Sequence, residues 1–241
     1  MRTFDMYAFH IHTNRCKHAT LDSDEEYVKT ALDLGMKQIV FSDHAPFPSD
    51  PFSGRMEYLQ LGEYTRSLSA LREKYKPYIK IYIGLEIEYM PEYMTYYKEL
   101  IGKVDFLMLG QHHTSFQPGE YTFNSIRSKD EIYTKLLNST LEAMQTGLFS
   151  VIAHPDRFLN PDDKWTGEEE NYAKNIVKIA DEKGIFLEKN ISSMEQEKYH
   201  PVFWKYTTQD TKVVYGLDAH SVAELKRRAK GLQLYQDTGV Y

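Results

Sequence analysis

The chain carries one cysteine, Cys16, in 241 residues. No internal disulfide can form, so stability has to come from a packed core. Long apolar runs are also missing. Nothing approaches the roughly 20 consecutive apolar residues that a membrane helix needs. The first residues, Met1 to Tyr7, lack the apolar stretch of a secretory signal. A soluble, reducing, cytoplasmic setting is therefore expected. Positive charge is in deficit: 29 Lys and Arg stand against 35 Asp and Glu, a net charge of −6. That argues against a broad nucleic-acid footprint. No linker, low-complexity tract or internal repeat interrupts the sequence.

What is present is a globular composition, 41% hydrophobic and 14% aromatic, too apolar for a disordered chain. A chain this long can bury roughly 70–75% of its unfolded surface. Short apolar runs at 6–12, 38–42, 80–85, 106–109, 150–153, 185–188 and 212–216 read as strands. Helical patterns lie between them, at 57–75, 167–183 and 222–230, with a short one at 201–208. Ser23 and Glu26 form a capping-box pattern whose helix Gly35 closes, and Ser128 and Glu131 open another that ends near Gly147. The alternation predicts one domain over residues 1–241, a parallel α/β barrel of about seven strands; an open doubly wound sheet is the alternative.

The informative residues stand where the apolar runs end. His10 and His12 end the first run, His18 lies six residues on, and His44 follows the second. Glu86, His112 and His154 follow later ones, and Asp218 and His220 the last. Any one of them reads as an ordinary polar strand terminus. Beyond the first run, five further strand ends carrying imidazole or carboxylate make that reading poor for the set. On the C-terminal rim of a barrel these positions would converge. Neutral imidazoles and carboxylates are ligands for Zn, Mn or Fe, and nine of them suffice for two or three divalent ions. Such ions lower the pKa of bound water towards ~7 and clamp the oxygens of a phosphate ester.

Other polar residues divide between site and surface. Arg157, three residues after His154, could hold phosphate oxygens in a fork; the competing reading is a surface arginine paired with Asp156. Arg15, between His12 and His18, is a weaker candidate for an anion, and His113 for substrate. Glu88 is an alternative to Glu86 as ligand. His200, next to Pro201 and away from any strand end, reads as surface. Cys16 lacks the arginine about six residues later that a thiolate phosphatase would want, since position 22 is Asp. Asp22 and Asp24 fit a helix start better than a phosphorylated nucleophile. The irregular stretch 45–55, with Pro46, Pro48, Pro51 and Gly54, is expected to shape a pocket.

In this order, from His10-Ile11-His12-Thr13 to Asp218-Ala219-His220-Ser221, the motifs resemble the PHP (polymerase and histidinol phosphatase) metallohydrolases. The resemblance implies a distorted (β/α)7 barrel of TIM-barrel type holding up to three ions. It assigns His10, His12, Glu86 and Asp218 to the first ion and Glu86, His112 and His154 to the second. His18, His44 and His220 go to the third. Within the family, the stretches from His12 to His18 and from Asp43 to Pro48, and Gly54-Arg55-Met56, are most similar to members that hydrolyse L-histidinol phosphate in histidine synthesis. Glu188-Lys189-Asn190 departs from that pattern, since relatives more often carry an apolar residue between Glu and Asn. The expected activity is a phosphomonoesterase on a small molecule, with Arg157 gripping phosphate and Asp218, or a ligand-bound water, passing a proton to the departing alkoxide. A nucleotide phosphodiesterase or exonuclease, and a non-catalytic barrel, are the alternatives. An acidic or aromatic wall for the histidinol group is sought at Asp50 and Glu57.

Overall fold

The structure, a computed structural model, describes residues 7–50, 52–113, 131–159, 165 and 167–238. Its strands are β1 (Tyr7–Ile11), β2 (Gln38–Phe41), β3 (Lys80–Ile87), β4 (Phe106–Leu109), β5 (Phe149–Ile152), β6 (Phe186–Asn190) and β7 (Val213–Gly216). The helices are α1 (Asp24–Asp33), α2 (Leu61–Tyr75), α3 (Met94–Ile101), α4 (Glu131–Gln145), α5 (Gly167–Lys183), α6 (Ile191–Glu195), α7 (Pro201–Trp204) and α8 (Val222–Thr238). The strands hydrogen-bond in chain order, β1 to β7, and each is followed by at least one helix. This is the topology of the (β/α)7 class expected from the sequence.

The chain divides into two compact units. The first comprises Met1–Glu86, Lys103–Phe106 and Tyr215–Tyr241. There β1 and β2 run parallel, as do β2 and β3, with Ile39 paired to Ile81 and Phe41 to Ile83. Parallel strands covered by helices are apolar on both faces, which is why these runs do not alternate strictly. Ala8, Ile11, Ile39, Phe41, Ile83 and Leu85 are buried with Tyr27, Val28 and Ala31 of α1 and Tyr64 and Leu68 of α2. The backbone leaving β7 returns to β1: Leu217 N–H donates to Phe9 O (2.8 Å) and His12 N–H to Ala219 O (2.9 Å). The capping box of α1 forms as expected, with Ser23 accepting from Glu26 N–H, and Gly35 follows the helix at φ +74°.

The second unit comprises Ile87–Gly102 and Leu107–Val214. Met108 pairs with Val151, and Ile152 with Leu187, again in parallel. On α5 the buried residues Tyr172, Ala173, Ile176, Val177 and Ala180 follow helical spacing and make its inner stripe.

Three helical segments depart from the sequence reading. The run 57–75 begins as a 3₁₀ turn at Tyr58–Gln60 before α2, the short segment after Pro201 is one turn, and α8 continues to Thr238. Two helices, α3 and α6, were not anticipated. The Ser128 cap proposed for α4 lies outside the described residues.

A candidate metal centre

In the first unit, seven of the nine proposed ligands come together. His10 Nε2 lies 3.2 Å from Glu86 Oε2 and 3.8 Å from Asp218 Oδ1. His12 Nε2 lies 3.5 Å from Glu86 Oε2 and 3.4 Å from Asp218 Oδ1. His44 Nδ1 stands 3.1 Å from the same Glu86 oxygen. His18 Nε2 faces His220 Nε2 at 2.7 Å, and the rings of His12 and His220 stack at 4.1 Å. Parallel bridges between Ile11 and Ala219, and between His44 and Glu86, hold the strand exits in register.

The local backbone is unusual where it delivers these groups. His10 has φ +67° and Asp218 φ +51°, left-handed values that cost side-chain-bearing residues energy. The register of β1 against β2 shifts between Ala8 and Ile11, so His10 sits on a bulge. The His-x-His spacing therefore reaches its target through that irregularity and not through uninterrupted pleat alternation.

The donor set fits divalent cations. His10 and His12 are fully buried, and Glu86 and Asp218 nearly so. His12 Nε2 is buried with no hydrogen-bond partner although two carboxylate oxygens lie close by. A cation among them would satisfy all three groups. Burial, then the neighbouring His12, pushes the His220 imidazole down to about 2, and the same two causes lower His18. These rings are held neutral, with lone pairs available for a metal.

In the second unit, His112 and His154 approach with ring centroids 5.2 Å apart. His154 also has a left-handed backbone, φ +30°, and its N–H donates to Glu188 Oε2. Glu88 is turned to His112 Nδ1, 3.1 Å away. That contact fixes the orientation of the His112 ring. Arg157 donates from Nε to Ser193 Oγ (2.7 Å) and from Nη2 to Asn190 Oδ1 (2.8 Å). Asp156 Oδ2, on the competing partner, accepts from His200 N–H and the Trp204 indole.

Two expectations need correction. Arg15 is buried, and its guanidinium donates to Asp24, Glu63 and Thr13 Oγ1. With two carboxylates around it, it clamps the loop to α1 and α2 and is not placed to hold a substrate anion. His200 is buried, not a surface residue, because Asp156 draws its backbone inward. The proposed acidic wall is also engaged locally: Asp50 accepts from Tyr58 N–H, and Glu57 pairs with Lys17. His113 is buried, and its carbonyl accepts from Gln111.

Sequence reasoning missed the residues that hold Arg157. Asn190 caps α6 by accepting from Ser193 N–H while its oxygen also takes the arginine. An Asn ending an apolar run just before a helical segment was the available signal.

A model of the PHP domain family matches residues 8–192. The chain belongs to the PHP domain family. Among PHP relatives, a Deinococcus radiodurans protein named "Probable histidinol-phosphatase" is 27% identical over 95% of this chain and 92% of its own length. The histidinol-phosphatase of Bacillus subtilis is 30% identical over 49% of this chain and 51% of its own. The solved histidinol phosphate phosphatase of Lactococcus lactis, complexed with zinc, L-histidinol and phosphate, superposes with a TM-score of 0.71 at 19% identity. It covers 98% of this chain and 95% of that one. That likeness establishes the shared fold. No described helix is long and apolar enough to cross a membrane.

Proposed function

We propose that this PHP protein is a metal-dependent phosphomonoesterase that hydrolyses L-histidinol phosphate to L-histidinol and phosphate in histidine biosynthesis. The observation that carries the reading is the cluster of buried His10, His12, Glu86 and Asp218 with part-buried His44 and His220 and the exposed His18. The near full-length likeness to a relative named histidinol-phosphatase supports the substrate. We treat residues 1–241 as one catalytic domain. His10, His12, Glu86 and Asp218 would hold a first divalent ion and His18, His44 and His220 another; His112 and His154 are the remaining proposed ligands. Zinc is the leading choice, with manganese and iron the alternatives. Divalent ions there supply acidified water and neutralise developing phosphate charge.

The protein's own groups do the rest. Arg157, held by Ser193 and Asn190, presents its guanidinium to phosphate oxygens in a fixed orientation. The left-handed turn at Asp218 holds its carboxylate among the imidazoles, where it takes a proton from the attacking water and passes it to the departing histidinol oxygen. His113 contacts the substrate. The test is turnover by chelator-stripped protein resupplied with Zn²⁺, Mn²⁺ or Fe²⁺, across phosphomonoesters including L-histidinol phosphate and dinucleotide diesters. Preference for L-histidinol phosphate is expected. Preference for a diester, or metal-independent turnover, overturns the proposal.

A further inference from the structure

Cys16 has no part in the chemistry so far, yet it touches two of the proposed ligands. The residue is completely buried. Its Sγ lies 3.5 Å from His12 Nδ1, accepts the backbone N–H of His44 at 3.3 Å, and donates to Asp43 Oδ1 at 3.2 Å. Asp43 is itself buried, and the same oxygen accepts Thr13 N–H (2.8 Å) and Thr13 Oγ1–H (3.0 Å). Thr13 Oγ1 in turn accepts from the clamped Arg15. One sulfur thus joins ligands delivered by two strand ends to a fixed carboxylate.

The chemistry of these contacts is directional. A thiol has one weak donor and a weak acceptor. With its S–H spent on Asp43, the sulfur can only accept from the imidazole. His12 must then carry its proton on Nδ1, and Nε2 keeps a bare lone pair facing Glu86 and Asp218. Metal-bound histidines ordinarily donate the other ring N–H to a carboxylate, carbonyl or water. Here a buried thiol, backed by a carboxylate, takes that place.

We propose that Cys16 is a positioning residue: its sulfur accepts His12 Nδ1–H, fixes that tautomer, and aims Nε2 at a divalent cation while anchoring the His44 backbone. The inference rests on the metal-centre reading above. Its test compares the full chain with Cys16→Ser and Cys16→Ala. Zn²⁺ affinity of the stripped proteins is measured by competition with a chromogenic chelator. Alanine should weaken zinc binding about 10–100-fold, as loss of an outer-shell partner does, while serine, which keeps an O–H and its lone pairs, should recover most of it. In the wild-type chain at pH 8 without metal, ¹⁵N spectra of labelled histidine should show His12 protonated on Nδ1. Wild-type affinity in Cys16→Ala, no recovery in Cys16→Ser, or a proton on His12 Nε2 would each overturn the role of Cys16. The spectrum needs no variant, so a misfolded alanine protein does not blunt the test. A wild-type chain that takes up no zinc instead refutes the metal centre itself.

Discussion

Gly84 sets up a direct test of how tightly the first unit couples packing to its ligands. It lies in β3, two residues before Glu86, and its carbonyl accepts the Tyr64 hydroxyl at 2.8 Å. A Cβ placed there would stand 2.4, 2.6 and 2.8 Å from three atoms of the Phe106 ring. Carbon atoms in contact prefer about 3.5–4.0 Å, so ring or strand would have to move by about 1 Å. Phe106 cannot yield freely, because its ring stacks on Phe9 at 6.2 Å, and Phe9 adjoins the strained His10. Overpacking of this kind costs about 1–3 kcal/mol, and three contacts this close argue for the upper end. Removing a glycine's unfolded-state freedom returns about 0.5–1 kcal/mol. Gly84→Ala should therefore destabilise by about 2 kcal/mol, which for a chain of this size lowers Tm by about 4–8 °C. Calorimetry on metal-free protein measures the shift, and urea unfolding checks the free energy. Phe106→Leu in the same chain should recover most of the loss. An unchanged Tm for the single variant, or no recovery in the double one, would show that Phe106 does not exclude a side chain here.

Three further outcomes are expected. Arg157→Ala should depress phosphate-ester turnover while leaving metal content intact, and Arg157→Lys should not rescue it, since a single ammonium cannot span Ser193 and Asn190 while gripping phosphate. Metal analysis beside kinetics checks this; lost metal or unaffected turnover contradicts it. Glu88→Gln should weaken metal binding by about 10-fold or more by releasing His112, an effect visible in a zinc titration and absent if Glu88 is only packing. Asp156 carries a pH signature: burial raises its carboxyl from 3.8 to about 6. A raised acid disfavours its ionised form in the fold, so the penalty is absent below pH ~4, grows as pH climbs, and is complete above pH ~6. Asp156→Asn should therefore gain stability over wild type by up to about 3 kcal/mol across that window, read by urea unfolding at several pH values. A flat difference refutes the raised carboxyl.

The strands were legible because each is a short, β-branched or aromatic run, and the metal-site candidates because they stand just past those runs. Such a pattern survives without knowledge of tertiary contacts. Arg15 did not yield to the same logic. Its partners Asp24 and Glu63 lie 9 and 48 residues away, and nothing in the His12–His18 loop announces them. His200 failed for the same reason, since its burial follows from a hydrogen bond to Asp156 across 44 residues. The short α6 was hidden because Asn190 reads equally well as the end of a strand or the cap of a helix. The bulge at His10 left no mark in the spacing, which fits a regular pleat just as well.

The left-handed backbone at His10, Asp218 and His154 bears on how this protein can be improved. Each such residue stores of order 1–3 kcal/mol that glycine would largely release. A laboratory selection for heat resistance alone would thus be rewarded for discarding these proposed metal ligands, converging on glycines at these three codons. Hardened descendants of this chain must win their tolerance elsewhere, or screening must demand product at every round.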